Sequence, residues 1–328
     1  MKAVISQGAS GPDAVELRDV EAPEPGPGEV LIRVHATALN RADLLQTRGL
    51  YPPPPGAPQE ILGMEYAGEV VGVGPRTFLR RAGERVMGIV AGGSFAEQLV
   101  VHERETIRIP SGLAFAVAAA IPEAFLTAYD ALFLQARAGP GESVLIHAVA
   151  SGVGTAALQL VRAFGGVAIG TGRSAEKLAR CQALGLSLAL HVASSPPVFE
   201  AAVREATAGV GANVALDLVG GAYLRETVLA MAPRGRVMCV GTMDGPTAEL
   251  NLGLVLRKRL QLTGTVLRSR PLEEKITLAR SFEQHVLPLF EQDAVKAVVG
   301  ETFPLADVRQ ALARLAANDT FGKVVLCM

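Results

Sequence analysis

Residues 144–164, VLIHAVASGVGTAALQLVRAF, constrain this chain more than any other stretch, because they set a buried strand, a turn of small residues and an amphipathic helix in immediate succession. The apolar run VLIHAV has strand length, and Ala157, Leu160, Val161 and Phe164 recur at helical spacing. Between them Ser151, Gly152, Val153 and Gly154 form a turn whose small residues let the backbone approach an anion. A pyrophosphate placed there would meet the free amides and positive dipole of a helix start. The pattern therefore reads as the cradle of a dinucleotide pocket, with an incomplete fingerprint. VASGVG carries Val149 and Ser151 where G-x-G-x-x-G has glycine, and an ordinary β–α turn satisfies the same residues.

The context supports the cradle. From Ala124 onward, apolar runs near 144–149, 167–170, 188–191, 214–217, 237–240 and 260–266 alternate with helical segments such as AEKLARCQAL and FEAAVREATA. That alternation predicts a doubly wound parallel sheet of the Rossmann type, an α/β fold, over residues 124–267. Residues 1–123 are punctuated by turn formers, as in EAPEPGPGE and YPPPPGAP, and their strands are short. Within EVLIRVHA, Ile32, Val34 and Ala36 share one face while Arg33 and His35 share the other, the alternation of a half-exposed strand. GMEYAGEVVGVG and GERVMGIV read as further strands of a tightly turned, β-rich domain. After Leu267 the order helix, strand, helix, strand exceeds what a nucleotide fold needs, so residues 268–328 are expected to rejoin residues 1–123.

Composition excludes more than it selects. A formal charge of -1 over 328 residues gives no basic footprint for nucleic acid or an anionic membrane. Cys181, Cys239 and Cys327 are too scattered for a metal cluster or a disulfide framework. The opening KAVIS is strand-like rather than a leader, and no apolar run reads as a membrane span, so a cytoplasmic protein is expected.

The cofactor is read from the second strand of the parallel sheet. An NAD site commonly ends that strand in an acid that binds the adenosine ribose. Here VAIGT runs instead into Gly172, Arg173 and Ser174, with Lys177 one turn later. Two cations and a hydroxyl suit a 2′-phosphate, and Arg can hold it bidentately, so NADPH is expected over NADH. The competing reading is that Arg173 and Lys177 merely decorate a solvated helix start.

With these residues in view, the chain resembles the medium-chain dehydrogenase/reductase superfamily, and within it the zinc-free quinone oxidoreductases related to zeta-crystallin. The likeness is carried along the whole chain by ALNRADLLQTRGLYPPPPG, ILGMEYAGEV, AAAIPEAFLTAYDAL, HAVASGVGTAALQL and FGKVVL, in that order. The resemblance implies that the β-rich domain is GroES-like. Zinc alcohol dehydrogenases of the superfamily carry cysteine and histidine where this chain has Asn40 and Met64. An amide and a thioether cannot replace thiolate and imidazole around zinc. His35, His102, His147, His191 and His285 are dispersed singly, so no metal site is expected.

The resemblance further implies Asn40 near the nicotinamide ribose and Tyr51 near the acceptor, as the two catalytic candidates. Each has a plainer reading, Asn40 as a turn-capping amide and Tyr51 as a ring stacked on the PPPP loop. Around the cofactor it implies Thr127 at the nicotinamide end, Val219 and Gly220 after the fourth strand, and Gly241, Thr242 and Met243 after the fifth. Thr265, Val266 and Leu267 would end the sixth strand and bind the carboxamide, with Asn318 and Lys323 closing the site. Where relatives often place a tyrosine over the 2′-phosphate this chain has His191 and Val192.

The expected activity is therefore zinc-independent hydride transfer from NADPH to a quinone. A reductase for enals, enones or enoyl thioesters is the alternative on the same scaffold, although only Arg41 and Arg48 are on hand near residues 41–56 for a thioester's phosphates. A crystallin-like binding protein that retains the cofactor is the alternative of another class. A homodimer is expected, because LQLTGTV would be an apolar edge strand that relatives pair across a two-fold axis.

Overall fold

The computed structural model describes residues 1–7 and 10–328. The chain divides into two compact units, one of Met1–Leu126, Leu267–Gln292 and Ala297–Met328, the other of Thr127–Val266 with Asp293–Lys296.

The first unit opens with a hairpin of β1 (Lys2–Ile5) and β2 (Glu16–Asp19). Its main sheet is built on β3 (Glu29–Ala38), followed by helix α1 (Arg41–Thr47). The strands β4 (Glu65–Val73), β5 (Arg85–Ile89), β6 (Gln98–His102) and β7 (Ile107–Arg108) come next. Strand β3 has the expected alternation, with Val30, Ile32, Val34 and Ala36 buried and Arg33 exposed. Its inner face joins Tyr66, Val70, Val86 and Leu99 in one apolar cluster. The short helix α2 (Phe115–Ala118) and the helix α3 (Pro122–Tyr129) then carry the chain into the second unit.

The second unit is a six-stranded, all-parallel sheet of β8 (Ser143–Ile146), β9 (Val167–Gly172), β10 (Leu188–His191), β11 (Ala212–Asp217), β12 (Met231–Cys239) and β13 (Gln261–Gly264). Its spatial order is β10-β9-β8-β11-β12-β13, which is the doubly wound 3-2-1-4-5-6 order of a Rossmann fold. The connecting helices are α4 (Gly152–Ala163), α5 (Ala175–Ala183), α6 (Glu200–Ala206), α7 (Ala222–Ala230) and α8 (Leu252–Lys258). Leu145, Ile169, Ala215 and Val237, from the four central strands, are fully buried in one core with Phe199 and Val203. The first strand is shorter than the sequence suggests, ending at Ile146 rather than residue 149, because Ala148 takes a positive φ of 48° and turns the chain.

The tail returns to the first unit as α9 (Leu272–His285), α10 (Leu287–Glu291), β14 (Val299–Pro304), α11 (Val308–Ala316) and β15 (Lys323–Cys327). Strand β15 pairs antiparallel with β3, and Leu312, Leu315, Val324 and Leu326 complete a core with Val4, Leu39 and Phe95. One stretch does reach membrane-spanning length and hydropathy, Phe115–Gln135, which the sequence reading passes over; 78% of its apolar window is buried inside the protein, as in a core helix.

Candidate active site

In the second unit the carboxyl end of β8 feeds the cradle. Ser151 is the N-cap of α4, and its Oγ accepts the amide of Gly154 at 3.1 Å. As the first two residues of the helix, Gly152 and Val153 present amides that no helical carbonyl can reach. Gly154 is required sterically: a Cβ there would lie 2.5 Å from the Ala148 carbonyl oxygen and 2.6 Å from Val149 Cα, both backbone atoms. Helix α4 therefore approaches the strand turn so closely that only glycine fits, although Val149 and Ser151 replace the fingerprint's other glycines. Beneath the turn His147 is fully buried between Thr171 Oγ1 at 2.9 Å and Thr227 Oγ1 at 2.8 Å. The Thr227 hydroxyl donates to the Tyr223 carbonyl at 2.7 Å, so it accepts from Nε2–H, leaving Nδ1 as the acceptor. Burial pushes this imidazole down to about 4, and it is a neutral structural group.

At the end of β9, Gly172 lies over Leu178, where a Cβ would meet Cδ2 at 3.1 Å. Ser174 caps α5 by accepting the Lys177 amide at 3.3 Å. Arg173 is exposed, and its carbonyl accepts His191 Nε2 at 3.0 Å, so the histidine that stands where a tyrosine was expected fixes the loop carrying Arg173.

The loops after β11 and β12 meet. Asp217, buried and unforeseen in the sequence, accepts the amides of Val219 at 2.9 Å and Gly220 at 2.8 Å through one oxygen. A Cβ on Gly220 would come within 3.1 Å of the Gly241 carbonyl and 3.2 Å of Thr242 Cα. Met243 beside them is exposed, while Thr127 is buried. Thr265 continues the sheet by donating its amide to the Cys239 carbonyl at 3.0 Å, and its side chain is held by Gln135 at 2.7 Å and Asp130 at 3.2 Å. Neither Gln135 nor Asp130 was anticipated. Val266, the last residue of this unit's long segment, is half-exposed.

The remaining candidates, Asn40, Tyr51, Leu267, Asn318 and Lys323, belong to the first unit. Leu267 is buried there. Asn40 stands before α1, and its amide donates to Asp43 Oδ2 at 2.7 Å. Its side chain bridges two buried charges, donating from Nδ2 to Glu65 Oε1 at 2.8 Å and accepting from Lys323 Nζ at 2.6 Å. Lys323 completes its three bonds with the Leu39 carbonyl at 2.7 Å and Glu65 Oε1 at 2.7 Å. It is buried, with all three bonds made inside the first unit. Asn318, exposed after α11, accepts from the Arg41 guanidinium.

The second oxygen of Glu65 accepts the Glu123 amide at 2.8 Å, tying the start of α3 to the cluster. Desolvation, with the nearby Glu65 charge, pushes Glu123 up to about 8, against the opposing pull of Lys323 and Arg268. Asp43 is raised to about 7, again mainly by burial. Arg268, missed by the sequence reading, organises Tyr51: it donates to the Tyr51 carbonyl at 3.1 Å, the Ala91 carbonyl at 2.6 Å and Gln46 Oε1 at 2.5 Å. Its guanidinium carbon lies 5.2 Å from the Tyr51 ring centroid. Burial and the Glu123 charge raise the Tyr51 hydroxyl above its ordinary value.

These donors do not fit zinc. Met64 supplies a thioether, Asn40 is bonded on both amide atoms, and the ammonium of Lys323 supplies a cation among them. Among the described residues no group of three or more His, Cys, Asp or Glu side chains is placed to hold a metal ion.

Comparison with known proteins fixes the family. Residues 26–111 match the alcohol dehydrogenase GroES-like domain and residues 152–292 the zinc-binding dehydrogenase domain. A quinone oxidoreductase of Pseudomonas aeruginosa is 33% identical over 319 residues, covering 96% of each chain. The chain belongs to the medium-chain dehydrogenase/reductase family. This dehydrogenase/reductase is also 36% identical over 310 residues to a pikromycin polyketide synthase component of Streptomyces venezuelae; the match covers 94% of this chain and spans 8% of the synthase's length. Among solved structures it is similar to a mycobacterial protein complexed with NADPH, with a TM-score of 0.89, 28% identity and full coverage of both chains. The chain is thus an oxidoreductase of this family built from a GroES-like β unit and a Rossmann unit, as its sequence suggests.

Proposed function

We propose that this dehydrogenase/reductase is a zinc-independent NADPH:quinone oxidoreductase. The observation that carries the reading is the first unit's cluster, in which Lys323 and Glu65 hold Asn40 while Arg268 holds Tyr51, leaving the Tyr51 hydroxyl without a hydrogen-bond partner among the described residues. When bound, NADPH supplies the hydride. Ser151, Gly152, Val153 and Gly154 would receive its pyrophosphate, and Arg173 with Lys177 its 2′-phosphate. Asn40 would orient the nicotinamide end, and the Tyr51 hydroxyl would donate to the acceptor's carbonyl oxygen as negative charge develops there. A quinone needs little further help, because its conjugated carbonyl already accepts hydride.

The test is NADPH and NADH oxidation by the purified protein with a panel of benzoquinones and naphthoquinones beside alkenals and an enoyl thioester. Quinone turnover with NADPH preferred supports the reading. Consumption of only the alkenes or the thioester replaces the substrate, and NADPH binding without turnover favours the crystallin-like alternative. Tyr51→Phe should lower quinone turnover by roughly 100-fold, the low end of general acid effects; unchanged turnover of every quinone would make Tyr51 a packing residue. Arg173→Asp should raise the KM for NADPH sharply and leave that for NADH nearly unchanged, and an unaltered preference would remove Arg173 from the 2′-phosphate site.

We also propose a homodimer paired through β13, the outermost strand of the parallel sheet. That edge exposes Gln261, Thr263 and Gly264 and half-buries Leu262. A monomeric mass in solution would refute it.

A further inference from the structure

Arg268 is a buried cation without a bonded counter-charge. It is 5% exposed, yet its guanidinium spends its hydrogen bonds on neutral acceptors: Nε on the Ala91 carbonyl at 2.6 Å, Nη1 on the Tyr51 carbonyl at 3.1 Å and Nη2 on Gln46 Oε1 at 2.5 Å. Glu65, the ion-paired acid of this unit's cluster, is taken by Lys323, Asn40 and the Glu123 amide. The acids within electrostatic range of Arg268 are Asp43 on α1 and Glu123 on α3, and burial makes both reluctant to ionise. Leaving a buried charge without an ionised partner costs stability, so what the charge faces matters.

It faces Tyr51. The guanidinium carbon lies over the ring, 5.2 Å from its centroid, while Nη1 fixes the carbonyl of the same residue. The two contacts set both the backbone and the ring. Gly92 leaves room for this approach: a Cβ there would lie 3.0 Å from the Pro58 carbonyl oxygen and 3.6 Å from Arg268 Nη2. A cation over an aromatic face is attracted by the negative charge of the ring, and a phenolate carries far more of it than a phenol. Because the guanidinium is buried, salt screens that attraction little.

We propose that Arg268 is the positioning residue of the acceptor site: it holds Tyr51 through the backbone and supplies, across the ring, the positive charge that stabilises a tyrosinate. The proposal rests on the reductive reading above. An acceptor that has gained two electrons and one hydrogen as hydride from NADPH carries negative charge on its oxygen. The Tyr51 O–H bond breaks as a new O–H bond forms on the acceptor, leaving the tyrosinate beneath the guanidinium. The tyrosinate then regains a proton from solvent, so one proton is consumed per turnover and the protein is unchanged. Two charged groups act on the Tyr51 hydroxyl in opposite senses: Glu123 hinders its ionisation and Arg268 favours it.

Arg268→Gln tests this, because it removes the charge and leaves a side chain that still donates hydrogen bonds. The first readout needs no substrate: ultraviolet titration of tyrosinate, with the Tyr51→Phe protein subtracted to isolate Tyr51 among the four tyrosines. Tyr51 should ionise at higher pH in Arg268→Gln than in the wild type, with Arg268→Lys between them. The second is kcat and KM with NADPH and a benzoquinone. Arg268→Gln should lower kcat by about 10-fold, the effect of losing a desolvated cation from an aromatic face, and Arg268→Lys should recover much of that loss. In a Tyr51→Phe background the same substitution should cost little more, since Arg268 acts through the phenol. A residue that only clamps the loop gives another pattern: KM rises, both variants suffer alike because neither keeps the planar fork, and the titration does not move. That pattern overturns the proposal and leaves the reductive reading standing. Should the glutamine variant not fold, an Arg268→Lys protein as slow as Tyr51→Phe overturns it equally. A wild type that reduces no acceptor, with the titration shifted as expected, overturns the reductive reading and with it the role of Arg268.

Discussion

Replacing Lys323 by methionine should be among the most damaging single changes available in the first unit. Lys323 is 5% exposed and Glu65 is fully buried, with 2.7 Å between Nζ and Oε1. Lys323→Met keeps most of the side-chain volume and removes only the charge and its bonds. Glu65 retains two donors, Asn40 Nδ2 and the Glu123 amide, both at 2.8 Å, so it stays hydrogen-bonded but electrically uncompensated. Stranding one member of a buried pair costs about 3–5 kcal/mol. The Leu39 carbonyl and Asn40 Oδ1 also lose their donor, but that loss overlaps the first and is not added to it. With a urea m-value of about 2 kcal/mol/M, the unfolding midpoint should fall by roughly 2 M. The double variant Glu65→Gln, Lys323→Met should recover much of the loss, with a coupling of about 2 kcal/mol or more, because it removes both charges together. A single variant within about 1 kcal/mol of wild type, or a strictly additive double variant, would refute the view that the pair is desolvated and mutually dependent.

Two other outcomes follow from the geometry. Gly154→Ala should weaken cofactor binding by about 10-fold or more and lower thermal stability, because its Cβ would fall 2.5 Å from a backbone oxygen that cannot give way; calorimetric titration with NADPH checks this, and unchanged binding would mean that α4 can retreat from the turn. Asp43 has a folded pKa of about 7 against an unfolded value near 3.9, so the native state holds an extra proton between those values. Its contribution to stability is therefore lost as pH rises from about 4 to about 7, by up to about 1.4 kcal/mol per pH unit, and is level above that. Asp43→Asn should abolish this slope, so its stability relative to wild type grows from pH 5 to 7 in urea titrations; a difference independent of pH would show that Asp43 is ionised throughout.

Much of the scaffold was legible in the chain because it depends on local periodicity. The alternation of Ile32, Val34 and Ala36 placed β3 with its buried face correct, and strand-helix alternation marked out the six strands of a parallel sheet. Ser151 and Gly154 were found from sequence because a cap and a close approach are demanded by residues only a few positions apart. The end of β8 was missed by three residues because nothing in HAVA announces that Ala148 adopts a positive φ. A weaker signal for the buried pair was present and unused: Glu65 in GMEYAG and Lys323 in FGKVVL are opposite charges, each set in an apolar strand that should be buried.

The sequence by itself determined which residues form strands and helices, which face of each is apolar, and that the β8–α4 turn is built of small residues at a helix start. Only the tertiary structure decided which polar side chains share a buried environment. Lys323 is bonded to Asn40 across 283 residues of chain and Arg268 to Gln46 across 222, and no local pattern encodes either distance. It also separated groups that look equivalent in the chain: Glu65 is paired with Lys323, whereas burial raises Glu123 and Asp43, although all three are carboxyls of the same unit. The physical reason is that secondary structure responds to side-chain periodicity over a few residues, whereas the protonation and orientation of a buried group are set by the field and solvation of everything folded around it.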